Sequence, residues 1–177
     1  MQALMEASTP ESQAIIREAL QKNFNNEVKA ERMLGELSFV KNPTVETENY
    51  VRSLLDLGSP RQKDNADFSL TSIGHFLRDK EQNRAESILN LFQEKLESSE
   101  SDKERTIHYL AAIGNIGIPA QLVIVEKYLT SEDLEVKEKA TKALRFIEDA
   151  KAKNLLIAAL SDPDEKIRET AAFSLGF

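Results

Sequence analysis

Two histidines, His75 and His108, are the residues of this sequence best suited to acid–base or metal chemistry near neutral pH. Neither has a second histidine, a cysteine or a carboxylate pair at metal-site spacing. Asp79 lies four residues after His75, and Glu104 lies four residues before His108, which is the spacing of ordinary contacts on a helix surface. We therefore expect structural roles for both histidines and no bound metal.

The other reactive side chains give no catalytic pattern either. Asp and Glu number 30, and many of them, such as Asp102, Glu104, Asp133 and Glu135, fall where helices are expected to begin. Acidic residues at these positions cap the helix and offset its positive end. The six glycines form no phosphate-binding loop, and there is no cysteine for a thiolate site. We predict a protein that is not an enzyme and has no cofactor.

The overall charge limits the class of partner. Lys and Arg number 23 against 30 Asp and Glu, which gives a net charge of −7. Nucleic acids are bound mainly through clustered Lys and Arg, so nucleic acid is not expected as the partner. No apolar run approaches the ~20 residues that span a bilayer. Residues 1–6 do not resemble a secretory signal, and the compartment stays open.

The last third of the chain contains an internal repeat. Residues 129–137 match residues 160–168 at an offset of 31, and the same offset relates Ala140 to Ala171 and Leu144 to Leu175. Within each unit the apolar residues recur at spacings of three and four, which is typical of amphipathic helices. Ser161 or Asp162 is expected to cap the helix that follows the last turn.

The same apolar spacing, in a less regular form, extends back towards the beginning of the chain. We predict an all-α fold, a right-handed α-α superhelix of about ten antiparallel helices, with no strands. The chain is expected to be one solenoid domain over residues 1–177, with its clearest repeats at 102–177 and looser ones at 10–97. The longest polar connection is expected at residues 58–65. The expected helices are roughly 10–23, 26–40, 44–57, 64–79, 81–97, 102–115, 119–130, 133–147, 150–160 and 164–176.

The final residues, 171–177, lie inside the first helix of a repeat whose second helix is not present. Repeat arrays normally end in a polar capping unit. The chain is therefore expected to be a fragment of a longer protein. We expect Phe173, Leu175 and Phe177 to be exposed at this end, where a second copy of the chain could associate as a homodimer.

Two sequence runs resemble known repeat families. The pattern Asp-Pro-Asp-x-x-Ile-Arg-x-x-Ala-Ala-x-x-Leu-Gly at 162–176 and the run at 111–119 resemble HEAT repeats. The run 109–117, followed by Pro119 and 125–129, is similar to the helical domain of vitellogenin and the large lipid-transfer proteins. In that family the domain is a superhelix that braces lipid-binding sheets, so lipid is implied as a ligand of the parent protein. The HEAT pattern is also similar to that of the HEAT-like phycobilin lyases.

These features favour a non-catalytic scaffold that binds a protein or peptide. The alternatives are the bracing region of a vitellogenin-like lipid carrier and a phycobilin-lyase-like protein. In stacked helix pairs the second helices usually line an extended binding surface. The exposed positions expected on those helices are Gln93, Glu94, Gln121, Glu126, Lys127, Lys151 and Lys153.

Overall fold

The computed structural model describes residues 8–176, which form ten α-helices and contain no strand. The prediction of an all-α fold is confirmed, and each predicted helix has an observed counterpart. A turn of 3-10 helix (Pro119–Gln121) directly precedes the seventh helix. The helices are α1 (Pro10–Asn23), α2 (Glu27–Leu37), α3 (Val45–Leu54), α4 (Pro60–Leu77), α5 (Gln82–Glu97), α6 (Lys103–Ile116), α7 (Leu122–Glu126), α8 (Leu134–Ala143), α9 (Ala150–Ala159) and α10 (Glu165–Leu175).

The chain divides into two compact units between Arg84 and Ala85, within α5. The division does not coincide with the polar connections of the sequence. The single solenoid over residues 1–177 stays a prediction. Within the described residues, no helix is both long enough and apolar enough to cross a membrane.

In the first unit each helix packs against the next helix or the next but one. Helix α1 contacts α2 and α3, and α4 contacts α2 and α3. The buried side chains recur at helical spacing along each element, so that every helix turns one apolar stripe inward. The fully buried residues of this core include Ile16, Leu20, Leu34, Leu37, Leu70 and Ile73.

The second unit reproduces the repeat that the sequence shows. Helices α6, α8 and α10 begin at Lys103, Leu134 and Glu165, each 31 residues after the last, and α8 packs against both others. Each begins after an aspartate, Asp102, Asp133 or Asp164, whose carboxylate accepts hydrogen bonds from backbone N–H groups of the first turn. The same local cap therefore marks the start of three equivalent helices.

The predicted cap of α10 is wrong. Asp164 is the cap, rather than Ser161 or Asp162. Asp162 instead accepts the backbone N–H of Asp164 at 3.0 Å, and its Oδ2 lies 2.6 Å from Lys137 Nζ. Asp162 thus stabilises the loop before α10 and connects it to α8. The contact with Lys137 spans 25 residues, so the sequence of the turn alone does not predict it.

Helix α4 begins earlier than predicted, at Pro60 instead of residue 64. Ser59 caps it, and the Gln62 side chain bonds back to the Ser59 backbone, so the two residues form a capping box. Pro60 occupies the first turn, where its missing N–H costs nothing. The polar stretch 58–65 is therefore mostly helix rather than a long connection.

Gly114 permits the close approach of α6 and α8. A Cβ atom at this position would lie 2.6 Å from Ala143 Cα and 2.8 Å from Ala143 Cβ, far inside van der Waals contact. The obstruction includes backbone, so it cannot move aside as a flexible side chain does. Gly35 in α2 has no atom within 4 Å of the equivalent point.

We expect Gly114→Ala to destabilise the protein by about 1–3 kcal/mol, because the added methyl forces α6 and α8 apart. Gly35→Ala is the matched control. It should be neutral or stabilising by about 0.5–1 kcal/mol, since alanine replaces glycine in an open helix position. Urea unfolding followed by circular dichroism measures both, and equal effects would contradict the packing role of Gly114.

Candidate functional site

Gln121 is not on the surface, which contradicts its predicted exposure. The side chain is fully buried. Its Oε1 accepts the backbone N–H groups of Gly117 (3.0 Å) and Ile118 (3.2 Å), and its Nε2 donates to the Ala143 carbonyl oxygen (3.2 Å). One amide thus satisfies the end of α6, the start of the 3-10 turn and the end of α8. Gln121 is a structural residue and is removed from the candidate binding surface.

Gln62 makes the equivalent connection in the first unit. Its Oε1 accepts the Ser59 N–H at 2.8 Å and its Nε2 donates to the Phe24 carbonyl oxygen at 2.8 Å. Both glutamines end a Gly-x-Pro-x-Gln run, at 58–62 and 117–121, and the glycine of each run has a positive φ. This recurrence is visible in the sequence and indicates a shared structural role for the two glutamines, although the burial of Gln121 depends on helix packing.

Gln13 extends the pattern to the loop between α2 and α3. Its Nε2 donates to the carbonyl oxygens of Asn42 (2.8 Å) and Ser8 (3.2 Å). Its Oε1 accepts the Thr44 N–H (2.9 Å) and the Thr47 hydroxyl (2.8 Å). Buried loop backbone must find hydrogen-bond partners, and here a glutamine side chain supplies them.

We expect Gln121→Leu to lower the free energy of unfolding by at least about 2 kcal/mol. The substitution leaves two buried N–H groups and one carbonyl without their partner, at about 1–3 kcal/mol for each unsatisfied group. The amides of Gly117 and Ile118 should also exchange hydrogen faster.

Gln93→Leu is the control for this substitution. Gln93 is half-buried in α5, and its side chain donates to Glu97 of the same helix at 2.8 Å. Its substitution should therefore lower the free energy of unfolding by no more than about 0.5 kcal/mol. Equal destabilisation by the two variants, measured by urea unfolding, would contradict the role of Gln121.

The structure brings two of the predicted surface residues together. Lys151 of α9 reaches Glu126 of α7, with Nζ at 2.6 Å and 2.8 Å from the two carboxylate oxygens. Lys127 follows α7 directly, and Lys153 lies one half-turn beyond Lys151; both are exposed. Glu94 is exposed on α5.

Apolar side chains accompany these charges on α7 and α9. Val123 is 68% exposed and lies one helical turn before Lys127, and Ile157 is 49% exposed and lies one turn after Lys153. Residues four apart share one face of a helix, so each helix presents an apolar residue beside a lysine. We call Val123, Lys127, Lys153 and Ile157 the α7–α9 face; Lys151, which pairs with Glu126, lies a half-turn from Lys153 on the other side of α9.

A cleft of about 470 Å³ lies next to Lys127. Its walls come from the start of α6, the connection after α7 and the start of α8, and include Tyr128, Thr106, Lys103 and Asp133. The volume falls within the range of ligand sites, but the cleft is open to solvent and most of its lining residues are polar types. The wall residues offer hydrogen-bond donors and acceptors, among them Thr106, Tyr128 and Lys103.

Ion pairs define the electrostatics of this cleft. Lys103 Nζ lies 2.8 Å from Asp133 Oδ2 and 2.6 Å from Glu135 Oε2. The hydrogen bonds from Lys103 lower the pKa of both carboxyl groups, and the same bonds raise the pKa of Lys103. Burial raises the pKa of the Tyr128 phenol, with the nearby Glu100 and Glu97 acting in the same direction. All four groups keep their ordinary charge at neutral pH.

Each histidine ring contacts an aromatic neighbour on its own helix. His75 Nδ1 is 3.2 Å from Arg78 Nη1, and the ring of His75 contacts Phe76 edge-on at 5.6 Å. Arg78 pairs with Asp79, with Nε 3.5 Å from Oδ2. The His108 ring contacts Tyr109 at 5.2 Å.

The fold defines a class: an all-α chain of packed helices in which buried glutamine amides hold the loops. The family described as the vitellogenin TPR domain matches residues 1–175, and this chain belongs to that family. The predicted resemblance to the helical domain of vitellogenin is therefore confirmed. The narrower assignment to HEAT repeats stays a prediction.

A solved structure supports the fold assignment. The chain is similar to the crystal structure of an engineered protein, a Northeast Structural Genomics Consortium target, with a TM-score of 0.50 and 17% identity over 98% of this chain and 86% of that one. This likeness concerns the fold alone. No curated protein matches the sequence.

Proposed function

We propose that this chain is a non-catalytic scaffold that binds a partner protein through the α7–α9 face. The observation that carries the proposal is the pairing of exposed apolar and basic residues on this face, Val123 with Lys127 and Ile157 with Lys153. An apolar centre with a polar surround is the ordinary anatomy of a protein interface.

The surroundings of the face favour a binding role over catalysis. The exposed Glu126–Lys151 ion pair connects the two helices beside this face. The adjacent cleft is lined by groups already engaged with each other, such as Lys103 with Asp133. A rigid helical surface with few free reactive groups suits recognition of a protein or peptide. Within this proposal the repeats are of the HEAT type, as the pattern at 162–176 suggests.

Site-specific crosslinking tests the surface. Benzoylphenylalanine in place of Val123 or of Ile157 should capture the same partner in an extract of the source cells, because both positions lie in the proposed interface. The same group in place of Val28, which is 78% exposed in the first unit, should not capture it.

Charge reversal supplies the second arm of this test. Lys127→Glu combined with Lys153→Glu should reduce capture at Val123 by about fivefold or more, since a rim charge chiefly affects association. Lys29→Glu, at an exposed lysine of α2, is the matched control and should leave capture unchanged. The proposal would be overturned if position 28 captured the partner equally well. It would also be overturned if Lys29→Glu reduced capture as much as the double variant does.

The second candidate function is a bracing role in a lipid carrier. Membership in the vitellogenin TPR domain family favours it. In this reading the helices support a lipid-binding region elsewhere in a longer protein, and the helices themselves need no lipid cavity.

Native mass spectrometry tests the second candidate on the gently purified chain and on any longer protein that contains it. We expect the longer protein to retain a lipid mass after desolvation. Finding it lipid-free would exclude lipid carriage. A lipid mass on the isolated chain would place a lipid site within residues 1–177.

A further inference from the structure

Two exposed aromatic rings lie together on the second unit, away from any role described above. Phe146 follows the end of α8 and is 36% exposed, and Phe173 on α10 is 52% exposed. Exposing large apolar side chains is unfavourable, and grouped exposed rings often mark an interaction site. Phe173 was expected at an exposed end of the chain; Leu175 is half-buried, and Phe177 lies outside the described residues.

Arg145 connects the two rings. The central carbon of its guanidinium lies 5.0 Å from the centre of the Phe146 ring and 4.5 Å from the centre of the Phe173 ring. Lys142 Nζ lies 6.0 Å from the Phe173 ring centre. All four side chains are exposed. We call Lys142, Arg145, Phe146 and Phe173 the Arg–Phe patch.

The cation–π contacts position the guanidinium of Arg145 without occupying its hydrogen-bond donors. A ring attracts the cation, while the N–H donors of arginine point outward in the plane of the group. Among the residues that the structure describes, neither Arg145 nor Lys142 takes part in an ion pair. Arg145 is therefore a positioned cation whose donors remain available to an outside acceptor.

We propose that the Arg–Phe patch binds an acidic segment of a partner protein. A carboxylate matches the fork of the guanidinium in charge and geometry, and Lys142 adds a second positive charge beside it. The exposed rings of Phe146 and Phe173 supply the apolar contact around the ion pair. Arginine and aromatic residues of this kind dominate the binding energy of protein interfaces.

An acidic protein segment fits this site better than a nucleic acid does. Two cations neutralise few phosphates, whereas stable nucleic-acid binding needs an extended array of Lys and Arg. The chain as a whole carries a net charge of −7 and repels a long polyanion. A short acidic segment meets the local positive patch without covering the negative remainder. This proposal does not depend on the α7–α9 face.

Fluorescence anisotropy with a short labelled peptide, rich in glutamate and containing one phenylalanine, tests the proposal on the full chain. We expect binding that weakens as salt increases. Arg145→Gln should weaken it by about tenfold or more, and Phe173→Ala by a similar factor. Arg145→Lys keeps the charge but loses the planar fork and should fall between wild type and Arg145→Gln.

The matched control is Arg32→Gln. Arg32 is an exposed arginine of α2 whose Nε lies 4.0 Å from Glu36 Oε1, and within residues 8–176 it contacts no aromatic ring. Circular dichroism and the melting temperature of each variant separate lost binding from lost folding. Lys127→Glu should leave peptide affinity unchanged, which keeps this result distinct from that of the α7–α9 face.

Three outcomes would overturn the proposal: equal loss of affinity in Arg32→Gln, no measurable binding of the acidic peptide to the wild type, or tighter binding of a labelled oligothymidylate than of the peptide. A fourth is self-association. If sedimentation shows a dimer that Phe173→Ala dissociates, the patch binds a second copy of the chain.

Discussion

The structure depends on satisfying the backbone groups that are left over where helices end inside the protein. Every helix leaves unpaired N–H groups at its start and unpaired carbonyls at its end, and water satisfies them only when they are exposed. Where the loops are buried, glutamine side chains replace the water. Gln13, Gln62 and Gln121 each accept N–H or hydroxyl groups on one side and donate to a distant carbonyl on the other. The donated bonds join segments 22 to 38 residues apart and so fix how neighbouring helices are placed.

The second unit adds a regular electrostatic pattern to this arrangement. Its first helices recur every 31 residues, and each begins behind an aspartate cap. Lysines then connect one repeat to the next: Lys103 pairs with Asp133 and Glu135, and Lys166 pairs with Glu138. These exposed pairs contribute little energy individually. The pairs do explain why so many acidic residues lie at helix starts. There an acidic residue caps the helix, interacts favourably with the helix dipole and pairs with a lysine of the neighbouring repeat.

Two surfaces of the second unit are proposed for recognition. The α7–α9 face combines lysines with exposed aliphatic residues, and the Arg–Phe patch combines cations with exposed rings. Both place positive charge beside apolar area in a chain that is negative overall. The chain belongs to the vitellogenin TPR domain family, and we propose that these surfaces let it hold other parts of an assembly in place.

The sequence by itself determined the features that depend on neighbouring residues. Apolar spacing located the ten helices, aspartates marked the starts of α6 and α8, and the 31-residue offset identified equivalent helices. These features can be predicted from the sequence because helix formation and capping depend on residues within about one helical turn of each other. Only the tertiary structure decided that Gln121 is buried, that Gly114 lies against Ala143, and that Arg145 meets Phe173. Each of these facts depends on the distance between two helices, which packing sets and no local pattern encodes.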